Sequence, residues 1–582
     1  MASRRIIYLI ASALIVDESA RSQPSSFVPV TDRMLERPDP GDWLSWRRTL
    51  NGWGYSPLTQ IHRGNVRYLR LEWTRAMRPG LQEATPLAYG GILYLPNPAD
   101  CMQAIDARTG DLLWEYRRKW PADLKSVFSV PEVVEINRNV AIYGTTILDT
   151  TADDHLIALD AVSGELRWER QVLDYHVHPA YQTSGPIVAK GKIISGRGCE
   201  PRGGPEACVI TAHAAATGKE LWRTRTIPKP GEPGDETWGG LPFEQRKHVG
   251  TWMVPSYDPE TNLIYIGTSV TSPAPKFMLA GNDHQYLYHN CTLALNGDTG
   301  KIVWYYQHLV DHWDMDHTFE RLIVDTEVRP DKDHVQWINP KLKMGERRRV
   351  ITGIPGKTGI IYTLDAKTGE FLWARPTVVQ NLVTSIDGAT GKVKVNPDTL
   401  FSDVGQKREI CPSLGGGKNW SAGAYSPDTN LMYFSLENAC ASITALSPTP
   451  PNLYRIYSSI KMAPGTDNVG TIEAISAATG ATAWKYQQRA ATTALLATGG
   501  GLLFAGDENG RFRALDQNTG VVLWGINLGS PVTGFPITFT VGGRQYVAVS
   551  TGMSLNSPRF KRLTPELAPA EGNNVFVFAL PE

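Results

Sequence analysis

The amino-acid sequence predicts an all-β fold, an eight-bladed β-propeller held together by tryptophan-docking repeats. Three observations lead to this fold class. The 582 residues include 54 Gly, 40 Pro and 17 Trp, and so many turn formers and large aromatic residues favour short strands over helices. A motif in which Thr-Gly or Ser-Gly precedes a Trp by three intervening residues recurs along the chain. Its copies are spread over most of the sequence, which indicates one repeated architecture.

Each copy of the motif has the pattern of a strand, a turn and a second strand. In AIDARTGDLLW the small and apolar residues alternate, an Asp-type residue and Thr-Gly form the turn, and the second strand carries the Trp. Such a hairpin cannot bury both faces alone, so the copies must stack, and radial stacking of four-stranded units gives a propeller. The clear copies end at Trp114, Trp168, Trp222, Trp304, Trp373, Trp484 and Trp524.

Seven clear copies and one degenerate copy predict eight blades. The degenerate copy is LRLEWTRAM around Trp73, and the N-terminal strand can complete the last blade. The longest interval between copies, from Trp373 to Trp484, is long enough to contain a blade that lacks the motif. The blade count therefore depends on how that interval folds.

The N-terminus has the pattern of a secretory signal peptide. Arg4 and Arg5 precede an apolar run of eleven residues, IIYLIASALIV, and small residues follow it. The run is shorter than the roughly 18–20 apolar residues of a membrane span, and no later segment is long enough. We expect residues 1–22 to be a signal peptide, residues 23–582 to be a single propeller domain, and the protein to work in the periplasm without a membrane span. The alternative is a buried N-terminal strand, because Asp17 and Glu18 lie unusually close to the cleavage region.

Charge and cysteine content argue against several classes of function. Lys+Arg and Asp+Glu both number 58, so the net charge gives no reason to expect nucleic acid or an anionic membrane as a partner. The six cysteines form no C-x-x-C or C-x-x-C-H motif, so the usual zinc and c-type haem attachments are absent from the sequence. GIPGKTG at 353–359 is not a phosphate-binding loop, because Ile351 stands where that motif needs Gly and a strand-like segment follows.

The repeats resemble those of the quinoprotein alcohol dehydrogenases, which hold pyrroloquinoline quinone (PQQ) at the centre of an eight-bladed propeller. The resemblance runs from GDWLSWRRTLNGWGYSPL at 41 to the C-terminus. The repeat alone indicates only the fold, because non-catalytic propellers share it. A binding scaffold of the outer-membrane assembly type is therefore the alternative function. Such a scaffold would need none of the charged residues described below and would usually carry a lipid-anchor Cys near its start, whereas the first 100 residues contain no Cys.

The segment DHWDMDHTFE at 311–320 carries the strongest catalytic signal. The resemblance implies that Asp314 is the base that takes the alcohol proton and that Asp316 is an extra metal-binding carboxylate, as in the lanthanide-using branch. Alternation along a strand would place both carboxylates on one face, where they repel unless a cation lies between or beside them. The alternative for an isolated D-x-D is an acidic surface loop. Lys357 stands where the alcohol enzymes have Arg and the sugar-oxidising relatives have Lys, and its charge would stabilise the quinone as hydride arrives.

The same resemblance implies further metal and cofactor residues. Glu200 in SGRGCEPRGG matches a metal ligand, and its oxygen atoms suit Ca²⁺ or a lanthanide ion. The family's Asn ligand is missing, since GTSVTSPAP places Thr271 and Ser272 there. A hydroxyl or a backbone carbonyl is the expected substitute, and Ser272 is our candidate. The expected cofactor contacts, with Trp252 stacked on the quinone, are Glu83, Arg138, Thr151, Gly198, Cys199, Trp252, Lys357 and Asn419.

Two cysteine pairs are candidates for disulfides. Cys199 and Cys208 bracket the Glu200 loop, and in an exported protein we expect them to pair and make the loop rigid. Two separate free thiols are the alternative. Cys411 and Cys440 form a second, weaker candidate pair.

Two departures from the family pattern indicate a substrate larger than methanol or ethanol. Glu132-Val133 replaces the Cys-Cys pair that covers the quinone, and Thr492 replaces a Trp near the second-last repeat. We expect a PQQ-dependent dehydrogenase that oxidises a primary or secondary alcohol group of a sugar, a polyol or a bulky secondary alcohol to an aldehyde or ketone. Electrons would pass to a separate cytochrome c or to a dye, because the chain has no haem motif.

Overall fold

A computed structural model of the chain describes residues 27–447 and 453–582. The predicted signal peptide, residues 1–22, lies outside the described residues. Within these ranges the two α-helices are Asp32–Glu36 and Ser557–Leu563, and neither is long and apolar enough to cross a membrane. The single-turn 3₁₀ helices are Val66–Tyr68, Leu124–Val127, Pro131–Glu135, Pro201–Gly203, Pro205–Ala207, Asp235–Trp238, Phe243–Gln245, Lys276–Met278 and Pro397–Thr399.

The remaining regular structure is β, as predicted, and the described residues form eight sheets of four or five strands. We number them in chain order as sheets 1 to 8. Sheet 1 contains Leu87–Tyr89, Ile92–Asn97, Cys101–Asp106 and Leu112–Arg117, and sheet 2 contains Ala141–Tyr143, Thr146–Thr151, His155–Asp160 and Leu166–Gln171. Sheet 3 contains Ile187–Ala189, Lys192–Ser195, Val209–Ala214 and Glu220–Arg225, and sheet 4 contains Ser256–Asp258, Leu263–Gly267, Cys291–Asn296 and Ile302–Gln307.

Sheets 5 to 8 complete the series. Sheet 5 contains Leu322–Val328, Glu346–Gly353, Ile360–Asp365, Phe371–Pro376 and Trp337–Ile338, and sheet 6 contains Ala424–Ser426, Leu431–Glu437, Gly470–Ser476 and Thr482–Gln488. Sheet 7 contains Thr492–Thr498, Leu502–Asp507, Arg511–Asp516 and Val522–Asn527, with Tyr55–Ser56 parallel to the first of these. Sheet 8 contains Arg70–Ala76, Asn574–Ala579, Arg544–Thr551 and Ile537–Val541.

Three small sheets lie in the connections between these strands. They consist of Ala180–Tyr181 with Gly198–Cys199, of Val383–Ile386 with Val393–Val395, and of Lys407–Ile410 with Ala439–Ala445 and Ile456–Met462.

Sheet 8 joins the two ends of the described chain. Its strand Arg70–Ala76 pairs antiparallel with Asn574–Ala579, so that Trp73 lies opposite Val577. The N-terminal strand therefore completes a sheet built from the C-terminal strands.

Each docking tryptophan contacts the turn of the following sheet. The Trp114 indole donates to the carbonyl of Ala161 at 3.1 Å, and a Cβ added to Gly164 would lie 2.6 Å from the Trp114 ring. Only Gly allows this approach. The same packing pairs Gly110 with Trp73, Gly218 with Trp168, Gly300 with Trp222, Gly369 with Trp304, Gly480 with Trp373 and Gly520 with Trp484.

The Trp contacts follow the chain order of the sheets. The series begins at Trp73 in sheet 8, which donates to the carbonyl of Ala107 beside sheet 1 at 3.3 Å. It ends at Trp524 in sheet 7, which donates to the carbonyl of Leu69 at 3.0 Å, next to the first strand of sheet 8. Trp–Gly packing thus links sheet 8 to sheet 1 and each of sheets 1 to 6 to the next sheet, and the Trp524–Leu69 hydrogen bond links sheet 7 to sheet 8.

The Asp of the motif organises the turn in the copies that contain it. In sheet 1 a carboxylate oxygen of Asp106 accepts the backbone N–H groups of Arg108 and Thr109 at 2.9 and 3.0 Å, and Gly110 takes a φ of +83°. This is the arrangement that an Asx-turn followed by Gly requires.

Candidate functional site

One cavity of about 380 Å³ is lined by the connections and small sheets rather than by the strands of the eight sheets. Its size is that of a pocket for a small organic ligand. The predicted site residues that line it are Arg138, Gly198, Trp252, Asp314, Asp316, Lys357 and Asn419.

Buried charges form the floor of the cavity. The Lys357 ammonium lies between two carboxylates, 2.9 Å from Asp314 Oδ1 and 3.1 Å from Asp316 Oδ2. All three residues are less than 10% exposed. The segment 311–320 therefore carries a buried ion-pair cluster and is not an acidic surface loop.

Burial sets the electrostatics of this cluster. Burial raises the pKa of Asp314 well above its usual value, against the pull of Lys357, and the nearby Asp316 raises it further. Burial also opposes ionisation of Asp316, but Lys357 and the Val270 N–H hold the pKa of Asp316 below its usual value. The Lys357 ammonium is opposed by burial too, and the two carboxylates keep its pKa raised. Asp316 is thus the firmly ionised partner, and Asp314 is the carboxylate with the greater affinity for a proton.

The backbone of Asp314 is strained. Asp314 has a φ of +98°, a region that non-glycine residues rarely occupy and that is often found at functional sites. The Asp311 carboxylate accepts the N–H groups of Trp313, Asp314 and Met315 at 2.7, 3.0 and 2.5 Å. The expectation of a strand at this segment is wrong, because these three bonds curl the chain around Asp311. Both carboxylates nevertheless reach Lys357.

A flat wall and a cation stand beside this floor. The Arg138 guanidinium carbon lies 5.0 Å from the centre of the Trp252 ring, and the Trp252 indole donates to Asp316 at 3.2 Å. Glu83 does not line the cavity but supports it from behind. Its carboxylate pairs with Arg138 at 2.5 Å and accepts the Leu555 N–H at 3.1 Å. Among the described residues the buried Nε of Arg138 has no hydrogen-bond partner.

Glu200 is fully buried beside the cavity lining. Its carboxylate accepts the Ser129 hydroxyl at 2.5 Å, the Ser129 N–H at 3.0 Å and the hydroxyl of Tyr181, a lining residue, at 2.6 Å. The predicted disulfide between Cys199 and Cys208 is present and fixes the loop that carries Glu200. The Cys411–Cys440 pair also forms a disulfide.

The hydroxyl groups of Thr271 and Ser272, which replace the missing Asn, differ in their partners. Ser272 donates to the carbonyl of Leu453 at 2.5 Å. Thr271 is fully buried, and its hydroxyl has no hydrogen-bond partner among the described residues. The N–H of Val270 donates to Asp316 Oδ1 at 3.0 Å, so this loop lies directly against the floor cluster.

Two other predicted cofactor contacts are held by nearby groups. The Thr151 hydroxyl, outside the lining, bonds to Asp153 at 2.6 Å. The Asn419 amide donates to the carbonyl of Gly415 at 2.7 Å and keeps the side chain at the lining.

The resemblance implies two bound groups, PQQ and a hard cation. A planar, anionic ring fits the Trp252 wall, the unpartnered Arg138 nitrogen and the Lys357 ammonium. Carboxylates suit a hard cation by type. Within residues 27–447 and 453–582, however, no three His, Cys, Asp or Glu side chains converge on one point. Lys357 occupies the space between Asp314 and Asp316, so a cation requires these contacts to rearrange.

Two residues at or next to the site, His248 and Asp311, were not predicted from the sequence. His248 is buried at the lining with a φ of +64°, and burial holds its pKa below the usual value. Its Nε2 lies 3.2 Å from the Tyr454 hydroxyl. No sequence pattern marks His248. Asp311 could have been recognised from the D-x-x-D spacing, because an Asp that accepts N–H groups two and three residues ahead is a turn signal.

The sequence of the chain is similar to those of known proteins. The family model described as "PQQ: Glucose/ethanol/alcohol dehydrogenase, beta-propeller domain" matches residues 43–387 and 466–547. The chain is 32% identical to the dehydrogenase subunit of alcohol dehydrogenase (quinone) from Komagataeibacter europaeus, over 88% of this chain and 72% of that protein. It is 28% identical to quinoprotein alcohol dehydrogenase PedH of Pseudomonas putida, over 94% of this chain and 91% of that protein.

Comparison with solved structures also finds dehydrogenases that act on alcohols. The fold is similar to that of quinohemoprotein alcohol dehydrogenase ADHIIG from Pseudomonas putida HK5, with a TM-score of 0.81 and 26% identity over 95% of this chain and 83% of that one. It is also similar to a europium-containing methanol dehydrogenase, with a TM-score of 0.83 and 25% identity over 94% of this chain and all of that one.

Proposed function

The chain belongs to the PQQ family of glucose, ethanol and alcohol dehydrogenases with a β-propeller domain, and on this premise we propose that it is a periplasmic PQQ-dependent dehydrogenase acting on an alcohol group. The observation that carries the proposal is the buried cluster of Asp314, Lys357 and Asp316 beside the Trp252 wall. Burial of charge costs free energy even when the charges are paired, and buried titratable groups with shifted pKa values in a cavity are typical of functional sites.

The proposal includes the blade count. The eight sheets are the blades of an eight-bladed propeller. The Trp-to-turn contacts that pass from each sheet to the next and return from Trp524 to Leu69 support this closure. The interval from Trp373 to Trp484 contributes sheet 6 and no additional blade.

Four residues would hold the cofactor. Trp252 supplies the flat wall, Arg138 and Lys357 supply positive charge for carboxylate and carbonyl oxygens, and Asn419 supplies an amide. When bound, PQQ supplies the two-electron acceptor for the hydrogen that leaves the substrate carbon.

A Ca²⁺ or lanthanide ion would be held by carboxylates of the same floor. Glu200, Asp314 and Asp316 supply hard oxygen atoms, and a third carboxylate suits a more highly charged ion. Thr271 or Ser272 stands where the family has Asn. The unpartnered hydroxyl of Thr271 makes it the better placed of the two. Such an ion supplies positive charge that polarises an oxygen.

Asp314 takes the substrate proton. Its Oδ1 receives the hydroxyl hydrogen while the adjacent Lys357 ammonium stabilises the carboxylate that must be present beforehand. The raised proton affinity that burial gives Asp314 makes it a stronger base than an exposed Asp. Lys357 then faces the negative charge that develops as the carbon–hydrogen bond breaks.

Space above the floor favours a substrate larger than methanol. Val130 and Val133 of the Pro131–Glu135 region line the cavity where the family's Cys-Cys cover would stand.

We propose that reducing equivalents pass to a separate cytochrome c. Two disulfides support an oxidising compartment such as the periplasm.

The test is reconstitution of the purified protein with PQQ and either Ca²⁺ or La³⁺, followed by dye reduction with alcohols, polyols, sugars and bulky secondary alcohols. We expect metal-dependent reduction that is lost in Asp314→Asn and retained in Asp387→Asn, a matched change in an exposed turn. Absence of reduction with every alcohol, despite measured PQQ binding, would contradict the proposal.

A further inference from the structure

A short helix brings two arginines to the cavity. Arg559 and Arg562 lie three positions apart on Ser557–Leu563, so they share one face, and both line the cavity together with Asn556. Phe560 and Leu563 are buried in one apolar cluster with Ala439, Val469 and Ala491. The helix is therefore anchored, and its arginines have a fixed place in the wall.

The two arginines differ in their partners. Arg559 is nearly buried, and Glu437 and Asn556 hold its guanidinium at 2.5 and 3.1 Å. Arg562 is exposed, and no ion pair involves it in the part of the chain that the structure describes. The neighbouring Lys561, which does not line the cavity, pairs with Glu571 at 2.8 Å.

The charges of the lining do not balance. Four cations and two acids line the cavity, and the acids, Asp314 and Asp316, are both engaged by Lys357. Arg138 and Arg559 have their own buried partners, Glu83 and Glu437. Among residues 27–447 and 453–582, Arg562 has no counter-ion.

The wall that accompanies these arginines is apolar. Leu414, Leu453, Ile460 and Leu555 line the cavity together with the helix. A ligand that fits has an apolar middle, a hydroxyl for Asp314 and an anion for the arginines.

We propose that the substrate is an alcohol that carries a carboxylate, a hydroxy acid, and that Arg562, supported by Arg559, binds that carboxylate. This inference rests on the proposed dehydrogenase function, because it assigns the substrate class of the same cavity. The arginines would select the substrate, Asp314 would take its hydroxyl proton, and PQQ, when bound, would accept the hydrogen that leaves the carbon.

The experiment compares substrates that differ only in charge. 1-Hexanol, 6-hydroxyhexanoate and its methyl ester are assayed with the reconstituted enzyme, in the wild type, Arg562→Gln and the control Lys561→Gln. We expect the wild type to prefer the acid over the ester by roughly tenfold in kcat/KM, as for loss of a charge-assisted hydrogen bond. In Arg562→Gln the ratio of kcat/KM for the acid to kcat/KM for hexanol should fall roughly tenfold, because KM for the acid rises. In Lys561→Gln this ratio should stay the same. Salt should weaken the preference in the wild type.

Two further measurements keep the outcomes distinct. PQQ affinity is titrated in each variant, and calorimetry measures binding of 6-hydroxyhexanoate to wild type and Arg562→Gln. Equal kcat/KM for acid and ester in the wild type overturns the inference. So does an Arg562→Gln variant that weakens PQQ binding and slows all substrates alike, since the arginine then serves the cofactor. If no alcohol is oxidised, the proposed dehydrogenase function fails. Calorimetric binding of 6-hydroxyhexanoate that requires Arg562 would still support carboxylate recognition. Absence of that binding would overturn it.

Discussion

The Trp–Gly contacts between the sheets, from Trp73–Gly110 to Trp484–Gly520, are here called the rim. The rim and the floor of the cavity are organised in opposite ways. At the rim one contact recurs, a Trp ring on the Gly of the next turn, and in turns such as that of Asp106 a carboxylate accepts N–H groups two or three residues ahead. At the floor nothing repeats. Asp314 and Lys357 are 43 residues apart in the chain, both are buried, and Asp314 has a strained backbone.

This difference separates stability from function. The rim contacts bury aromatic surface, and most of their indole N–H groups donate to a carbonyl of the next sheet, so they stabilise the fold. The floor keeps three charges out of water, and an apolar replacement of similar size would often be as stable. We proposed that these charges serve the chemistry of the site, and on that proposal changes at the two regions should have different consequences.

The largest expected effect is the loss of turnover in Asp314→Ala. Removing a general base lowers the rate by roughly 10²–10⁴-fold, and kcat should fall by about 10³. The thermal unfolding midpoint should stay within a few degrees of the wild type, because Lys357 keeps Asp316 as its partner. Stopped-flow assays of dye reduction measure kcat, and calorimetry measures the unfolding midpoint. A stable variant with near-normal kcat would remove Asp314 from its assigned role.

At the rim, Gly520→Ala should reduce stability without a specific effect on kcat. The added Cβ would lie 2.5 Å from the Trp484 ring, and Gly520 has a φ of +72°. Crowding and backbone strain together should cost about 3 kcal/mol. The matched control is Gly529→Ala, with a φ of +82° but no atom within 4 Å, which should cost about 1 kcal/mol. Equal unfolding midpoints in denaturant for the two variants would argue against the role of the Trp–Gly contact.

Asp311→Asn tests whether the strained loop positions the base. Asn offers a single acceptor oxygen to N–H groups that the Asp311 carboxylate holds with two. We expect kcat to fall roughly 30-fold with little change in KM, and the pH–rate profile to shift because Asp314 moves relative to Lys357. An unchanged profile with a general loss of unfolding stability would indicate a structural role only.

Buried acids near the arginine helix should give the protein a pH-dependent stability that the rim lacks. Burial raises the pKa of Glu508 to about 8 and that of Glu437 to about 7. In the exposed turn at Asp387, by contrast, Thr390 holds the pKa of Asp387 below its usual value. A raised pKa in the folded state means that Glu508 favours folding at low pH and that this contribution is lost as pH rises from about 4.5 to 8.

Glu508→Gln is the test of that pH dependence. From pH 5 to pH 8 the difference in free energy of unfolding between the wild type and Glu508→Gln should shift by on the order of 2 kcal/mol in favour of the variant, because only the wild type loses the Glu508 contribution. Asp387→Asn should leave the slope in this range as it is. A difference between the wild type and Glu508→Gln that stays constant across this range would contradict the assignment.

The sequence predicts the rim better than the floor. The strand–turn–strand units follow from local periodicity and turn chemistry, so the turns before Trp114 and Trp524 lie where the motif places them. The floor residues were identified through family resemblance, and the strand expected at Asp314 is absent because the Asp311 carboxylate gathers three N–H groups. Periodicity contains no information on that local competition.

Arg559 and Arg562 show a second limit of sequence reasoning. Neither belongs to the repeat or to a known motif, and only the packing of a helix more than 100 residues from Glu437 brings them to the cavity. Long-range contacts of this kind depend on the whole fold, so a local pattern cannot predict them.

The most direct test of the account is a crystal structure of the protein reconstituted with PQQ and the metal that supports dye reduction. We expect one PQQ in the 380 Å³ cavity, lying against Trp252 with its oxygen atoms near Arg138 and Lys357, and a metal ion bound by Asp316 and Glu200. A fully supplemented protein whose cavity contains neither PQQ nor metal would contradict the central claim.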